Sequence, residues 1–329
     1  MMKMGIRRGI EEYFLQIEPI TQICGTNYVL KNYLRNSIYK HFSSSKYLSF
    51  EEEMIENVTI NGECIGKEYF DVIQINTREE LIDNITMSKN SLMQEYTCEI
   101  LKEYDCQKDI ELLKDDLDRI LISLNKEFKI NGVEIDFEMN DIFKLVSKST
   151  IVVSNGKCPE EMPNGDLVNI FLDIFTGLQR VKPTKKLVIF NNIDMLINLD
   201  EYMQIVSKAK CETQKSDTWF MFFVGKDNYL FLDEEFFEGI NVINSEIFSM
   251  PEYDKILDFF ISEYPRNIDK KHAEDIVQVL PQIVNKIGDA NFNINLVAIV
   301  ALKIINESLG IKIINEEKEH RLEKEYLNI

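Results

Sequence analysis

Two runs of consecutive apolar residues constrain the fold of this chain more than any other feature. Residues 187–190 (LVIF) and 219–224 (WFMFFV) contain no polar side chain, so both faces of each segment must be covered. Such runs are typical of strands in a parallel sheet. Helical patterns at 168–178 and 199–210 alternate with them. Because parallel neighbours need a crossover connection, the sequence predicts an α/β domain with a largely parallel sheet.

A long stretch without Gly or Pro precedes these strands. Residues 81–100 and 110–128 carry apolar side chains at steps of three and four, which predicts two long helices. Thr77 has the spacing of an N-cap for the first, and residues 105–107 are the expected turn between them. The first helix would be about 35–40 Å long. The pair is either an arm-like inserted subdomain or a helical hairpin packed on the core.

The predicted organisation has four parts. Residues 1–77 and 151–250 form the α/β domain, residues 78–150 are the helical insertion, and residues 251–329 form a helical extension. The other predicted elements are an extended segment at 13–24, a helix at 29–42, a hairpin about Asn61 and Gly62, strands at 70–75 and 151–153, and helices near 252–264, 270–288 and 293–309.

The composition narrows the functional classes. A net charge of −19 over 329 residues argues against general binding to nucleic acid or acidic membranes, although a local basic groove stays possible. An acidic surface that keeps the protein in solution is the simpler explanation. The six cysteines are scattered without a CxxC pair, which is typical of reduced thiols in a cytoplasmic protein. No apolar run is long enough to cross a bilayer, so no membrane partner is expected.

Residues 25–32 have the context of a phosphate-binding loop, because they follow a predicted strand and open a helix. Gly25 and Lys31 occupy the positions of the first glycine and the phosphate-binding lysine. Leu30 replaces the second glycine, and Asn32 replaces the hydroxyl residue that binds Mg²⁺. A Cβ at position 30 obstructs the backbone cradle. Lys31 is explained equally well as an exposed lysine of the helix.

The predicted strand at 187–190 ends in Asn191 and Asn192, where a working NTPase has a carboxylate for Mg²⁺. Amides carry no charge and hold Mg²⁺ poorly. Asp194 follows and is expected to be a helix N-cap. Gly25, Lys31, Asn32 and Asn192 therefore form a vestigial nucleotide site, and neither a bound nucleotide nor ATP hydrolysis is expected. No GxSxG, HExxH or Cys/His pair indicates another catalytic site.

The order of elements resembles the DNA-end-binding adaptation proteins of type II-A CRISPR systems. The resemblance covers about residues 16–250, and residues after Pro251 fit the longer subgroup of that family. The segments that carry it are 70–84 (FDVIQINTREELIDN), 134–146 (EIDFEMNDIFKLV), 186–195 (KLVIFNNIDM) and 219–224. It implies an α/β fold with a degenerate P-loop NTPase-like head, an inserted leg of long helices and a C-terminal helical extension.

Members of that family form ring-shaped homotetramers that enclose double-stranded DNA at free ends through lysines on the inner face. Calcium ions hold the ring open at the junction of head and leg. Members lack nuclease and ATPase activity and support the acquisition of new spacers. The resemblance therefore implies three kinds of partner for this chain: DNA ends, other copies of itself, and the CRISPR integrase proteins with the effector nuclease.

The resemblance also suggests site residues. The calcium region corresponds to the acidic stretch with Glu127, Glu134, Asp136 and Glu138, which are oxygen donors of the kind that calcium requires. An exposed acidic face explains them equally well. The basic candidates for DNA are Arg180, Lys182, Lys185, Lys186, Lys208 and Lys210. Basic residues beside a buried strand also act as gatekeepers against aggregation.

The sequence, together with this resemblance, thus favours a non-enzymatic, calcium-stabilised ring that binds double-stranded DNA in CRISPR adaptation. One alternative is an unusual ATPase or nucleotide-dependent switch that works through Lys31. The other is a protein-binding scaffold that uses the helical insertion as a docking arm. The number of subunits and the role of residues 251–329 do not follow from the sequence.

Overall fold

The computed structural model describes residues 2–43, 46–55, 57–127, 146, 148–149, 151–152, 156–288 and 296–311. The contacts divide the chain into two compact units, each described by itself below. The first, the sheet unit, consists of Met1–Gln74, Lys186–Met195 and Trp219–Ile329. The second, the helical unit, consists of Ile75–Lys185 and Leu196–Thr218. In these units the described residues of 156–185 group with 75–127, and the described residues after 250 group with the sheets.

Two sheets are formed by ten strands of the described chain. They are β1 (Met2–Arg8), β2 (Glu11–Ile17), β3 (Ile20–Cys24), β4 (Val58–Ile60), β5 (Glu63–Cys64), β6 (Asp71–Ile75), β7 (Lys186–Asn191), β8 (Thr218–Phe223), β9 (Ile240–Ile243) and β10 (Ile247–Ser249). The larger sheet has the order β10-β9-β3-β8-β7-β6. In it β3 runs parallel to both β8 and β9, and β10 runs antiparallel to β9. The prediction of a mixed α/β fold with parallel strands is confirmed.

The two apolar runs form adjacent central strands. Every residue of β7 is buried, and β8 is buried except for partly exposed Trp219. The rings of Phe190 and Phe222 stack with centroids 5.3 Å apart, which places aromatic surface on neighbouring strands in contact. Burial on both faces explains why these segments contain no alternation of polar and apolar residues.

The smaller sheet is antiparallel and has the order β2-β1-β4-β5. The prediction of one extended segment at 13–24 was wrong, because Glu18 and Pro19 separate β2 from β3, which belong to different sheets. The strand at Met2–Arg8 was not predicted, since its apolar residues do not alternate strictly. The hairpin at Asn61 and Gly62 is confirmed, and both residues have positive φ, as a tight two-residue turn requires.

The helices of the sheet unit are α1 (Tyr28–Phe42), α7 (Tyr253–Glu263), α8 (Lys270–Val277), α9 (Leu280–Ile283) and α10 (Leu296–Ser308). Helix α1 places Leu30, Leu34 and Ile38, spaced by four, in the hydrophobic core beneath the sheets. The single helix predicted at 270–288 is divided, because α8 ends at Val277 and a new short helix begins at Leu280 with Pro281 in its first turn.

The helical unit contains α2 (Arg78–Ile85), α3 (Leu92–Ile100), α4 (Tyr104–Glu127), α5 (Asn164–Val181) and α6 (Leu199–Thr213). The prediction of one helix over 81–100 was wrong. Asn90 has a φ of 62°, and the Ser91 side chain accepts a hydrogen bond from the Gln94 amide, so a new helix begins there. Leu92 and Tyr96 stay in phase with Leu81 and Ile85, which conceals this break in the sequence.

Two further predictions in this unit were wrong. The turn expected at 105–107 lies inside α4, and the chain turns at residues 101–103 instead. Residues 151–152 are not in a strand, while Val153 lies outside the described residues.

Helix α5 packs closely against α3, since a Cβ on Gly177 would lie 2.6 Å from the ring of Tyr96. Along the described ranges, no helix is both long enough and apolar enough to cross a membrane.

Candidate functional site

The loop between β3 and α1, residues 25–27, is the centre of the candidate site. Gly25 has a φ of 100°, and a Cβ there would lie 2.2 Å from the carbonyl oxygen of Ile243. Only glycine satisfies both conditions. The side chain of Asn27 accepts a hydrogen bond from the Leu30 amide at 3.0 Å and caps α1. The loop is therefore held close against the end of β9.

The backbone amides of this loop are already hydrogen-bonded within the chain. In a phosphate-binding loop such amides point at the anion. Here the amides of residues 25–27 donate in order to Asn285 Oδ1 at 2.7 Å, Asn244 Oδ1 at 2.7 Å and the Ile243 carbonyl at 3.1 Å. Neutral protein oxygens thus accept the hydrogen bonds that a phosphate would receive from a nucleotide-binding loop.

Lys31 points back into the loop. Its side chain is 4 % exposed, and Nζ donates to the carbonyl oxygens of Gly25 at 2.8 Å and Val224 at 2.7 Å. The interpretation as an exposed helix lysine was wrong. Nζ also lies 4.8 Å from the ring centroid of Tyr28. Burial lowers the pKa of Lys31, and the nearby charge of Asp194 partly opposes that shift.

Asp194 has a role that the sequence did not predict. Its carboxylate is buried, and Oδ2 accepts hydrogen bonds from the amides of Gly225 at 2.9 Å and Lys226 at 2.8 Å. The expected role as a helix N-cap was wrong, since Asn198 caps α6 in a capping box with Glu201. Asp194 therefore fixes the loop after β8. Its other oxygen, Oδ1, is buried without a hydrogen-bond partner in the described part of the chain.

The two remaining residues of the predicted nucleotide site lie on the surface. Asn32 is an exposed residue of α1. Asn192 is exposed in the left-handed region with a φ of 53°, and its amide donates to the Phe223 carbonyl at 2.9 Å. Burial raises the pKa of the Cys24 thiol to about 12, so this neighbouring cysteine is not a thiolate at neutral pH.

The predicted DNA-binding residues have different surroundings. In the helical unit, Lys182 Nζ lies 2.7 Å from Glu95 Oε1, and Lys208 Nζ lies 2.7 Å from Asp173 Oδ1. Lys186, in the sheet unit, is 2 % exposed and pairs with Asp71. These ion pairs reduce the charge that the three lysines can offer to a phosphate.

Arg180 is exposed at the end of α5 and has no ion pair within the ranges that the structure describes. It lines a cavity of about 140 Å³ together with Lys215, which is not among the predicted DNA-binding residues. Lys185 and Lys210 are half-buried, the latter in the last turn of α6. Arg180 is therefore the most available of the predicted cations whose surroundings are fully described.

The predicted calcium ligands fall on a part of the chain that the structure does not describe. Glu134, Asp136 and Glu138 lie outside the described residues, and so does the side chain of Glu127. Elsewhere, in the ranges that are described, no group of three or more His, Cys, Asp or Glu side chains is placed to hold a metal ion. The calcium assignment stays a prediction.

Comparisons with known proteins identify the family. The family model described as CRISPR-associated protein Csn2 subfamily St matches residues 7–318. This chain therefore belongs to the Csn2 subfamily St of CRISPR-associated proteins, in agreement with the resemblance found in the sequence. A comparison with curated proteins gives no match.

A solved structure agrees with this chain at the level of the fold. The crystal structure of Stu0660 of Streptococcus thermophilus is similar over 99% of both chains, with a TM-score of 0.84 and 22% sequence identity. The Smc head domain of Pyrococcus furiosus matches 80% of this chain and 99% of its own with a TM-score of 0.42 and 11% identity. The SMC head domain from Thermotoga maritima matches 76% of this chain and 98% of its own, with a TM-score of 0.36 and 10% identity. These last two TM-scores are too low to support a structural conclusion.

Replacing Gly25 by alanine tests how closely the loop is packed. Gly62→Ala is the matched control, because Gly62 also has positive φ but has no atom within 4 Å of the position of a Cβ. The control is expected to lose about 1–2 kcal/mol from left-handed strain alone. In Gly25→Ala the new Cβ also overlaps the backbone of Ile243. We expect its free energy of unfolding, measured in urea, to fall by about 4 kcal/mol or more. Equal losses would contradict the close packing.

The lowered pKa of Lys31 predicts a pH dependence of stability. Between the folded-state pKa and the ordinary value of 10.5, the unfolded chain binds more protons at this position. The free energy of unfolding of the wild type, relative to Lys31→Met, is therefore expected to rise as the pH approaches 10.5 from below. Urea unfolding of both proteins at several pH values measures this difference. A difference that is flat or falls with pH contradicts a lowered pKa for Lys31 in the folded protein.

Proposed function

We propose that this protein is a non-enzymatic ring of CRISPR adaptation that binds double-stranded DNA at free ends. Membership of a CRISPR-associated family over residues 7–318 carries the proposal. The ring is a homotetramer, in which the sheet unit is a degenerate P-loop-like head and the long helices form the leg. Its partners are the CRISPR integrase proteins and the effector nuclease in the cytoplasm. The chemistry of the β3–α1 loop supports the absence of ATPase activity, because both its amides and Lys31 are engaged by the chain.

The proposed mechanism is topological. DNA enters the ring at an end and is held through its phosphate backbone, so no base sequence is read. A ring repeats every inner cation in each subunit, which allows an acidic protomer to enclose a positive channel. The net charge of −19 then belongs mainly to the outer surface and disfavours contacts on the wrong side. Calcium bound by Glu127, Glu134, Asp136 and Glu138 stabilises the open ring in this proposal.

A protein-binding scaffold is the second candidate function. Helix α4 carries apolar side chains that are about half exposed, which is typical of a surface that a partner covers. These residues are Leu112, Leu113, Ile120, Ile122 and Leu124. An ATP-dependent switch has less support, because it requires the β3–α1 loop to release its internal hydrogen bonds.

Binding to linear and to covalently closed circular double-stranded DNA tests the proposed function. At fixed salt, linear DNA is expected to bind in calcium and to lose binding in EDTA, while closed circles do not bind. Circles lack the free end through which a ring is threaded. Equal binding to both forms contradicts a threaded ring, and binding to neither favours the scaffold.

Two of the six cation candidates make opposite predictions for DNA affinity. Arg180→Ala is expected to flatten the dependence of log K on log salt by about one unit for each phosphate contact that is lost. Lys186→Met is the control, because its side chain is buried against Asp71 and is not available to DNA. A filter-binding or fluorescence titration at several salt concentrations gives both slopes. Arg180→Ala with an unchanged slope excludes this residue from the DNA interface.

A further inference from the structure

The segment from α9 to Gly288, residues 280–288, fills the space beside the β3–α1 loop, and we call it the plug segment. Its central residue, Asn285, is 6 % exposed. Asn285 Oδ1 accepts a hydrogen bond from the Gly25 amide at 2.7 Å. Asn285 Nδ2 donates to the Gly225 carbonyl at 3.2 Å and to Asp227 Oδ1 at 3.0 Å. One side chain therefore joins the loop after β3 to the loop after β8.

A second asparagine holds the backbone of the plug segment. Asn244 Oδ1 accepts from the Thr26 amide, while Nδ2 donates to the carbonyl oxygens of Asn285 at 3.1 Å and Ile287 at 2.6 Å. The loop, the end of β9 and the plug segment are thus connected through one amide group. Asn244 is 7 % exposed, so these bonds are largely shielded from water.

The loop after β8 binds the plug segment from the other side. Lys286 Nζ lies 3.1 Å from Asp227 Oδ2, and the Asn228 amide donates to the Pro281 carbonyl at 2.9 Å. The plug segment is therefore fixed at both of its ends and at its centre. These contacts explain why residues of the C-terminal extension belong to the same compact unit as the sheet.

The charges around the loop match an amide better than a phosphate. An asparagine side chain offers one acceptor and one donor group, and both are used here. Lys31 donates to backbone carbonyls rather than to an anion. The negative charge of Asp194 acts on Lys31 and raises its pKa. The same charge would repel an anion bound beside Lys31.

We propose that the plug segment is the permanent internal occupant of the β3–α1 loop. It closes the loop against phosphate-bearing ligands through Asn285 and attaches the C-terminal helices to the sheet. This gives the part of the chain after residue 250 a defined role, which is independent of whether the protein forms a ring on DNA. Opening of the loop requires the plug segment to leave.

Hydrogen exchange of the full-length chain tests this proposal. In Asn285→Ala the Gly25 amide loses its acceptor, so exchange of amides 25–27 is expected to become about tenfold faster or more. Asn241→Ala is the matched control. Asn241 is a fully buried asparagine of the same sheet unit, and its hydrogen bonds to Gln16, Gly239 and Ser249 do not reach the loop. Mass spectrometry of loop peptides gives the rates.

Comparison of the two variants distinguishes release of the plug segment from a general loss of stability. Faster exchange confined to the loop in Asn285→Ala, with no such change in Asn241→Ala, supports the plug segment. Unchanged exchange in Asn285→Ala, or equal acceleration in both variants, overturns it. If Asn285→Ala does not fold, Asn285→Ser replaces it with the same expectation, because the serine hydroxyl ends one bond short of the position of Asn285 Oδ1 and does not reach the Gly25 amide.

A melting experiment on the wild type adds an independent condition. Inorganic pyrophosphate and ATP with Mg²⁺, each added up to millimolar concentration at constant ionic strength, are expected to shift the melting temperature by less than about 1 °C, because the closed loop has no free amide to offer. A rise of several degrees that saturates with ligand concentration shows that the loop is open and overturns the proposal.

Discussion

The hydrogen bonds that engage the β3–α1 loop organise much of the sheet unit. Consecutive backbone amides form a strong site for a negative or partly negative group, and leaving them unpaired in a shielded place is unfavourable. Asn285 and Asn244 supply the oxygens that accept hydrogen bonds from these amides. Lys31 supplies a positive charge that donates to the carbonyl oxygen of Gly25 in the same loop. As a result the ends of β3, β8 and β9 and the C-terminal helices are connected by one polar network.

This network leaves the β3–α1 loop without the free groups that a nucleotide enzyme uses. A nucleotide enzyme keeps its loop amides, lysine and metal carboxylate available, whereas here each polar group has an internal partner or lacks a charge. Asp194 is the exception, since one of its oxygens is unpaired in the described structure while the other holds the loop after β8. Function is then expected at the surface, where the charge distribution decides what binds.

The sequence predicted element types well and their junctions poorly. The apolar strands and α1 could be read directly, because burial on both faces or on one stripe leaves a distinct pattern. The break between α2 and α3 could not, because Ser91 caps a new helix while the apolar spacing continues across it. For Lys186 the sequence showed a basic residue beside a strand, but not that Asp71 lies opposite and buries it.

The sequence by itself determined the α/β class, the absence of a metal carboxylate at Asn191 and Asn192, and the relation to a CRISPR-associated family. These properties depend on local patterns and on residue identity. Only the tertiary structure decided that the β3–α1 loop is filled, because Asn285 is 260 residues away from Gly25 along the chain. It also decided which cations are available, since an ion pair depends on which acidic residue the fold places within reach.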